Sequence, residues 1–137
     1  MDKQLTVEVV TPDGQVVNDV FDMVVVQAKQ GEIGVLPNHT AMISPVVIST
    51  ARLKKDKESM KVAIGGGFIE IENNHVTILV QSAETPKKID VERARKAKER
   101  AMRRIKQHRK DVDFRRAELA LKRAINRLDL VGEDKKM

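Results

Sequence analysis

The 137-residue sequence contains no cysteine, no tryptophan and no tyrosine. Without cysteine there is no disulfide framework, no thiolate metal site and no cysteine nucleophile. The aromatics are Phe21, Phe68 and Phe114 alone, too few to build the stacking platforms that single-stranded nucleic acids require. No apolar run approaches the about 20 residues that a bilayer-spanning helix needs. The opening Met1-Asp2-Lys3-Gln4 lacks a basic segment followed by an apolar one, so no secretory signal is expected. Together these absences predict a soluble protein of a reducing compartment, about one domain in length and with a small core.

What is present is divided unevenly. Residues 1–86 carry 7 Lys+Arg and 11 Asp+Glu, a net charge of −4; residues 87–137 carry 19 and 9, a net charge of +10. The overall +6 is therefore an acidic front followed by a strongly basic tail. That asymmetry points to two physical units, the second suited to an anionic partner. Residue types change at the same place. The front is rich in Val, Ile and Thr and holds all four Pro and six of the seven Gly. The tail is rich in Ala, Arg, Lys, Glu and Leu. The first is strand composition and the second helix composition. Glu84-Thr85-Pro86-Lys87-Lys88 is the expected join, because a residue before proline resists the helical state.

In the front, apolar residues alternate over Leu5–Val9, and Pro12-Asp13-Gly14 supplies turn chemistry before a strand through Val16-Val17. Further strands are expected at Met23–Val26, Ile33–Leu36, Pro45–Ile48, Ala51–Leu53, Met60–Ile64, Phe68–Ile71 and Val76–Val80. Lys54–Glu58 forms a charged hairpin tip and Asn73-Asn74 a turn. So many short strands predict a β-sandwich or small barrel. Gly65-Gly66-Gly67 lacks the Lys-Ser/Thr of a phosphate loop and opens no helix; close backbone approach or a bulge is expected there. His39, His75 and His108 have no metal-ligand spacing around them, and no nucleophile is paired with a base, so neither a metal nor catalysis is expected.

In the tail, Asp90 is placed as an N-cap for a helix from Val91 to about His108, with a stripe of Val91, Ala94, Ala97, Ala101 and Ile105. Asp111 and Asp113 are the next cap candidates. A second helix is predicted from Asp113 or Phe114 to about Leu128, striped by Phe114, Ala117, Leu121, Ala124 and Leu128. The short break predicts two antiparallel helices. Stripes half made of alanine bury little, about 1 kcal/mol or less per residue. Such a pair fits a hairpin that opens or extends without unfolding the β unit, and equally a static one docked on it. Arg93 and Arg100 share one helix face, Arg123 and Arg127 another, and an antiparallel hairpin would let the four converge. Guanidinium forks in such a cluster suit polyphosphate. Spacing alone nonetheless favours ordinary solvated basic faces.

The chain resembles the epsilon subunits of bacterial ATP synthases, most closely those of Bacillus-like organisms. The resemblance is carried by Val9-Val10-Thr11-Pro12-Asp13-Gly14, by Gly31–His39, by Gly66-Gly67-Phe68-Ile69-Glu70 and by Val76-Thr77-Ile78-Leu79. In the tail it is carried by Ile89-Asp90-Val91-Glu92-Arg93-Ala94 and by Phe114–Ala124. It spans essentially the whole chain. It implies an α+β fold, an N-terminal β-sandwich over residues 1–85 and a C-terminal two-helix antiparallel hairpin over 86–137. It further implies a non-catalytic central-stalk subunit contacting the gamma subunit and the ring of c subunits. On this resemblance the subunit couples rotation to catalysis, and its helices extend toward the beta subunits to inhibit ATP hydrolysis.

In Bacillus-like members the compact hairpin binds ATP as a regulatory ligand, with no obligatory metal. The matching motif, which ends at Ala94, implies Ile89 and Asp90 at the adenine and Arg93 near the phosphates, with Ala94 also in the ATP-binding set, Glu84 at the acidic position before the linker, and Arg100, Arg123 and Arg127 at the remaining basic positions. The four arginines of the spacing argument thus coincide with the implied site. Thr85-Pro86-Lys87-Lys88 is a stiffer and more basic lead-in than the family pattern. Glu32 and His39 match the family's ring-contact loops, where a structural role in the turn is an equal reading for Glu32 and the favoured one for His39. The resemblance places the protein peripherally on the cytoplasmic face of the bacterial cell membrane, held there through the complex, with no nucleic-acid partner.

Overall fold

The structure, a computed structural model, describes residues 4–107 and 114–132. The chain divides into two compact units, Met1–Thr85 and Pro86–Met137.

The first unit holds ten strands: β1 (Leu5–Thr11), β2 (Gly14–Phe21), β3 (Met23–Ala28), β4 (Gly31–Val35), β5 (Met42–Val46), β6 (Ser49–Lys55), β7 (Glu58–Ile64), β8 (Gly67–Glu72), β9 (His75–Val80) and β10 (Ala83–Glu84). They form two five-stranded sheets, ordered β2-β1-β9-β8-β5 and β10-β7-β6-β3-β4. Alternation along each strand sends one set of side chains into the space between the sheets. From the first sheet these are Leu5, Val7 and Val9, Ile69 and Ile71, and Val76 and Ile78; from the second they are Val24 and Val26, Ala51 and Leu53, and Val62 and Ile64. The pattern therefore resolves to a sandwich rather than a closed barrel. β1 and β9 run parallel, Val7 opposite Val76 and Val9 opposite Ile78, while the other pairings are antiparallel. Pro45 lies in β5, which pairs only with β8, an edge position where a missing N–H is tolerated.

The triple glycine is a point of close approach. Gly65 N–H donates to the Ser82 carbonyl at 2.8 Å, and Gln81 N–H donates to the Gly66 carbonyl at 3.1 Å. A Cβ on Gly67 would lie 2.0 Å from the Leu79 carbonyl oxygen. The backbone of β9 occupies the space where a side chain would stand.

The second unit begins with a 3-10 turn at Pro86–Lys88, followed by α1 (Val91–Gln107) and α2 (Phe114–Leu130). The helices pack on each other as an antiparallel hairpin. The expected end of the first helix at His108 and the cap candidates Asp111 and Asp113 lie outside the described residues. The second helix runs to Leu130, two residues past the expected Leu128. Its stop is chemical: Gly132 at φ +82° takes the left-handed conformation, and its N–H closes on the Asp129 carbonyl at 3.0 Å. The seam between the helices is narrower than the expected stripes. Ala94 and Ala101 are buried on α1, and Ala117, Ala124 and Leu128 on α2. Val91, Ala97, Ile105 and Leu121 are half-buried, and Phe114, expected in the stripe, is 43% exposed.

Candidate functional site

Asp90 stands immediately before α1 and caps it. Its Oδ1 accepts the Arg93 N–H at 3.1 Å, and its carbonyl accepts the Ala94 N–H at 3.0 Å. A side-chain acceptor at this position satisfies one of the orphan donors of the first turn. Ile89 is buried, and its N–H closes the 3-10 turn on Pro86. Ala94, next along, sits in the seam.

The arginines follow from the seam. Each one immediately precedes a seam residue: Arg93 before Ala94, Arg100 before Ala101, Arg123 before Ala124 and Arg127 before Leu128. One residue back along a helix is a rotation of about 100° from the seam. Reversing the second helix reverses both its axis and the direction of its seam. The preceding positions of an antiparallel pair therefore fall on the same side of the pair. By this geometry the four arginine positions fall on one side of the hairpin. Arg93 and Arg100 are exposed, and Arg123 and Arg127 are half-buried. Among the described residues, no carboxylate pairs with the guanidinium of Arg93, Arg100 or Arg123. Such an arrangement favours a compact, highly charged anion.

Glu84 belongs to the first unit, where it is half-buried on β10 and pairs with Ala63 of β7. The other seven residues of the nucleotide set belong to the second unit. Glu32, on edge strand β4, is ion-paired: Arg52 Nη2 donates to its Oε1 at 2.5 Å, reaching diagonally across β3. His39 is half-buried, and its Nδ1–H donates to the Thr40 carbonyl oxygen at 2.7 Å.

Three features escape a reading of the sequence. Asn74 Oδ1 accepts the Asn38 N–H at 2.5 Å, tying the loop before His39 to the β8–β9 turn. Asn38 and Asn74 both adopt the left-handed conformation that asparagine tolerates. Their separation, 36 residues, leaves no local signal. Arg52 as the partner of Glu32 is equally remote, 20 residues away. The third feature is an apolar row on the outer face of the first sheet. Pro45 lies opposite Phe68, Phe68 opposite Leu79, and Leu79 opposite Val10. Phe68 is 53% exposed, Leu79 46%, and neighbouring Ile43 70%. Here the strands bear apolar residues on both faces, and periodicity alone does not say which face is covered.

A β-sandwich of two five-stranded sheets joined to a basic antiparallel helical hairpin defines the class of chain. The comparisons give that class its family. Residues 4–86 match the family model described as "ATP synthase, Delta/Epsilon chain, beta-sandwich domain", and residues 87–132 match "ATP synthase, Delta/Epsilon chain, long alpha-helix domain". The chain belongs to the ATP synthase delta/epsilon chain family, whose members are subunits of the synthase and not themselves enzymes. It is 52% identical to the ATP synthase epsilon chain of Bacillus licheniformis, over 93% of this chain and 98% of that one. It is 49% identical to the epsilon chain of Bacillus subtilis, over 96% and 99%. Among solved structures, a chain of the Euglena gracilis mitochondrial ATP synthase (OSCP/F1/c-ring) matches with a TM-score of 0.76 at 21% identity, over 89% of this chain and 78% of that one. A chain of the Tetrahymena thermophila mitochondrial ATP synthase central stalk and c-ring matches with a TM-score of 0.57 at 18% identity, over 99% and 98%. At those identities the structural matches establish a shared fold.

Proposed function

We propose that this chain is the epsilon subunit of a bacterial ATP synthase central stalk, and that its hairpin is an ATP-sensing, hydrolysis-inhibiting element. The observation that carries the sensing is the placement of Arg93, Arg100, Arg123 and Arg127 on one side of the hairpin. A triphosphate bridging guanidiniums from both helices stabilises the hairpin only while the helices are paired. Binding to one state alone shifts the equilibrium by RT ln(1 + [L]/Kd), about 1.4 kcal/mol when ATP is tenfold above Kd. For a seam made mainly of alanine, that is a substantial fraction of what holds the helices together. When ATP falls, the hairpin loosens, the basic helices extend toward acidic surface on the beta subunits, and hydrolysis stops. No metal is required by this arrangement, because the arginines themselves neutralise the phosphates.

The stalk role is supported by the sandwich. The row Val10–Leu79–Phe68–Pro45 spans four strands, about 14 Å, and an exposed apolar face of this kind marks a protein contact. It suits the gamma subunit. Edge strand β4, with Glu32, and the loop that carries His39 are assigned to the c-subunit ring, with Glu32 exchanging Arg52 for a ring partner. The protein then lies peripherally at the cytoplasmic face of the cell membrane. Among the described residues, no helix is long and apolar enough to cross it.

The test removes one arginine from each helix. Arg93→Ala/Arg123→Ala is expected to weaken ATP binding at least tenfold, since each charge-assisted contact contributes about 1.5–3 kcal/mol. Equilibrium titration of the full chain reads this directly, and an unchanged Kd would reject the site.

A further inference from the structure

We infer that Asp90 is a positioning residue, whose cap on α1 holds Arg93 in place for an anionic ligand. This rests on the nucleotide reading above and goes beyond it. The geometry is specific. The N–H that Asp90 captures belongs to Arg93, so the carboxylate fixes the backbone of an exposed arginine that the nucleotide reading places at the phosphates. Other local devices for holding this turn are few. The third helical position is Arg93 rather than Glu or Gln, so no reciprocal capping box forms. Among the described residues, the first turn of α1 contains one acidic residue, Glu92. Isolated helix starts nucleate poorly, and a lost cap releases the first turn.

A ligand that needs Arg93 in its helical position therefore binds the capped state, and affinity becomes a function of capping competence at position 90. The effect is separable from any direct contact between the carboxylate and a base. Inorganic tripolyphosphate, which has no base, is the probe. Asp90→Ser, Asp90→Asn and Asp90→Ala make the same change in charge and differ in whether position 90 can cap.

Calorimetric titration of the full chain is expected to show Asp90→Ser and Asp90→Asn binding tripolyphosphate at least as tightly as the wild type. Asp90→Ala is expected to bind about fivefold more weakly than either, the equivalent of one lost cap. Hydrogen exchange at the Arg93 and Ala94 amides reads the cap independently: Asp90→Ala exchanges faster there in the free protein, and the serine and asparagine variants restore protection. If the wild type binds and Asp90→Ala matches Asp90→Ser, the positioning role is overturned and the nucleotide reading stands. Equal loss in all three variants also overturns it, by placing the carboxylate at the ligand. A wild type that binds neither tripolyphosphate nor ATP overturns both.

Discussion

Replacing Gly67 by alanine is expected to destabilise the sandwich by about 3 kcal/mol or more, a large part of a small domain's total stability. The added Cβ would meet three atoms of the neighbouring strand: the Leu79 carbonyl oxygen at 2.0 Å, the Val80 Cα at 2.8 Å and the Leu79 carbonyl carbon at 3.0 Å. All three are backbone, held in register by the β8–β9 ladder, so no rotamer change relieves the clash. The backbone at φ +157° is also one that a residue with a Cβ rarely adopts. Gly14 supplies the control. It too has a positive φ, +126°, but nothing lies within 4 Å of the point its Cβ would occupy. Gly14→Ala therefore carries backbone strain alone, about 1–3 kcal/mol, and should stay folded. Denaturant unfolding of the two variants checks the contrast, and equal stabilities would remove close approach as the reason for the glycine.

The second large effect falls on the hairpin. Ala124 is fully buried in the seam, and leucine there is expected to drive the helices apart. Overpacking costs about 1–3 kcal/mol in an ordinary core. This seam has little to set against it, since its other buried members are Ala94, Ala101, Ala117 and Leu128. Helices of this length are marginal alone, so Ala124→Leu should lose much of the helical circular dichroism. It should also lose at least tenfold in ATP affinity, because the arginines of α1 and α2 no longer share a side. The thermal transition of the sandwich should stay in place, because none of its core residues is touched. Loss of ATP binding with the hairpin intact would instead place Ala124 at the ligand.

Much of this was open to reading before the fold was known, for identifiable reasons. The change from Val- and Ile-rich to Ala- and Arg-rich sequence at Pro86 is large, and the division between the two units falls there. Asp90 and Gly132 are local signals, one starting α1 and the other stopping α2 beyond the point that stripe residues alone suggested. The arginine side was half legible. Spacing placed the pairs on common faces, and the seam adds only that each arginine precedes a buried residue. The Asn38–Asn74 link and the Arg52–Glu32 pair were illegible because each joins strands or loops brought together only by the sheets. The sandwich itself was confounded with a small barrel, since alternation fixes which residues face inward but not whether a sheet closes.

ATP sensing by the hairpin is tested by a calorimetric titration of the full chain with ATP, alongside ADP and GTP. Saturable binding of ATP is expected, with weaker binding of ADP, which offers one phosphate fewer to the arginines, and selection against GTP. No binding of ATP up to several millimolar would contradict it, and would leave a stalk subunit whose helices answer to rotation and partner contacts alone.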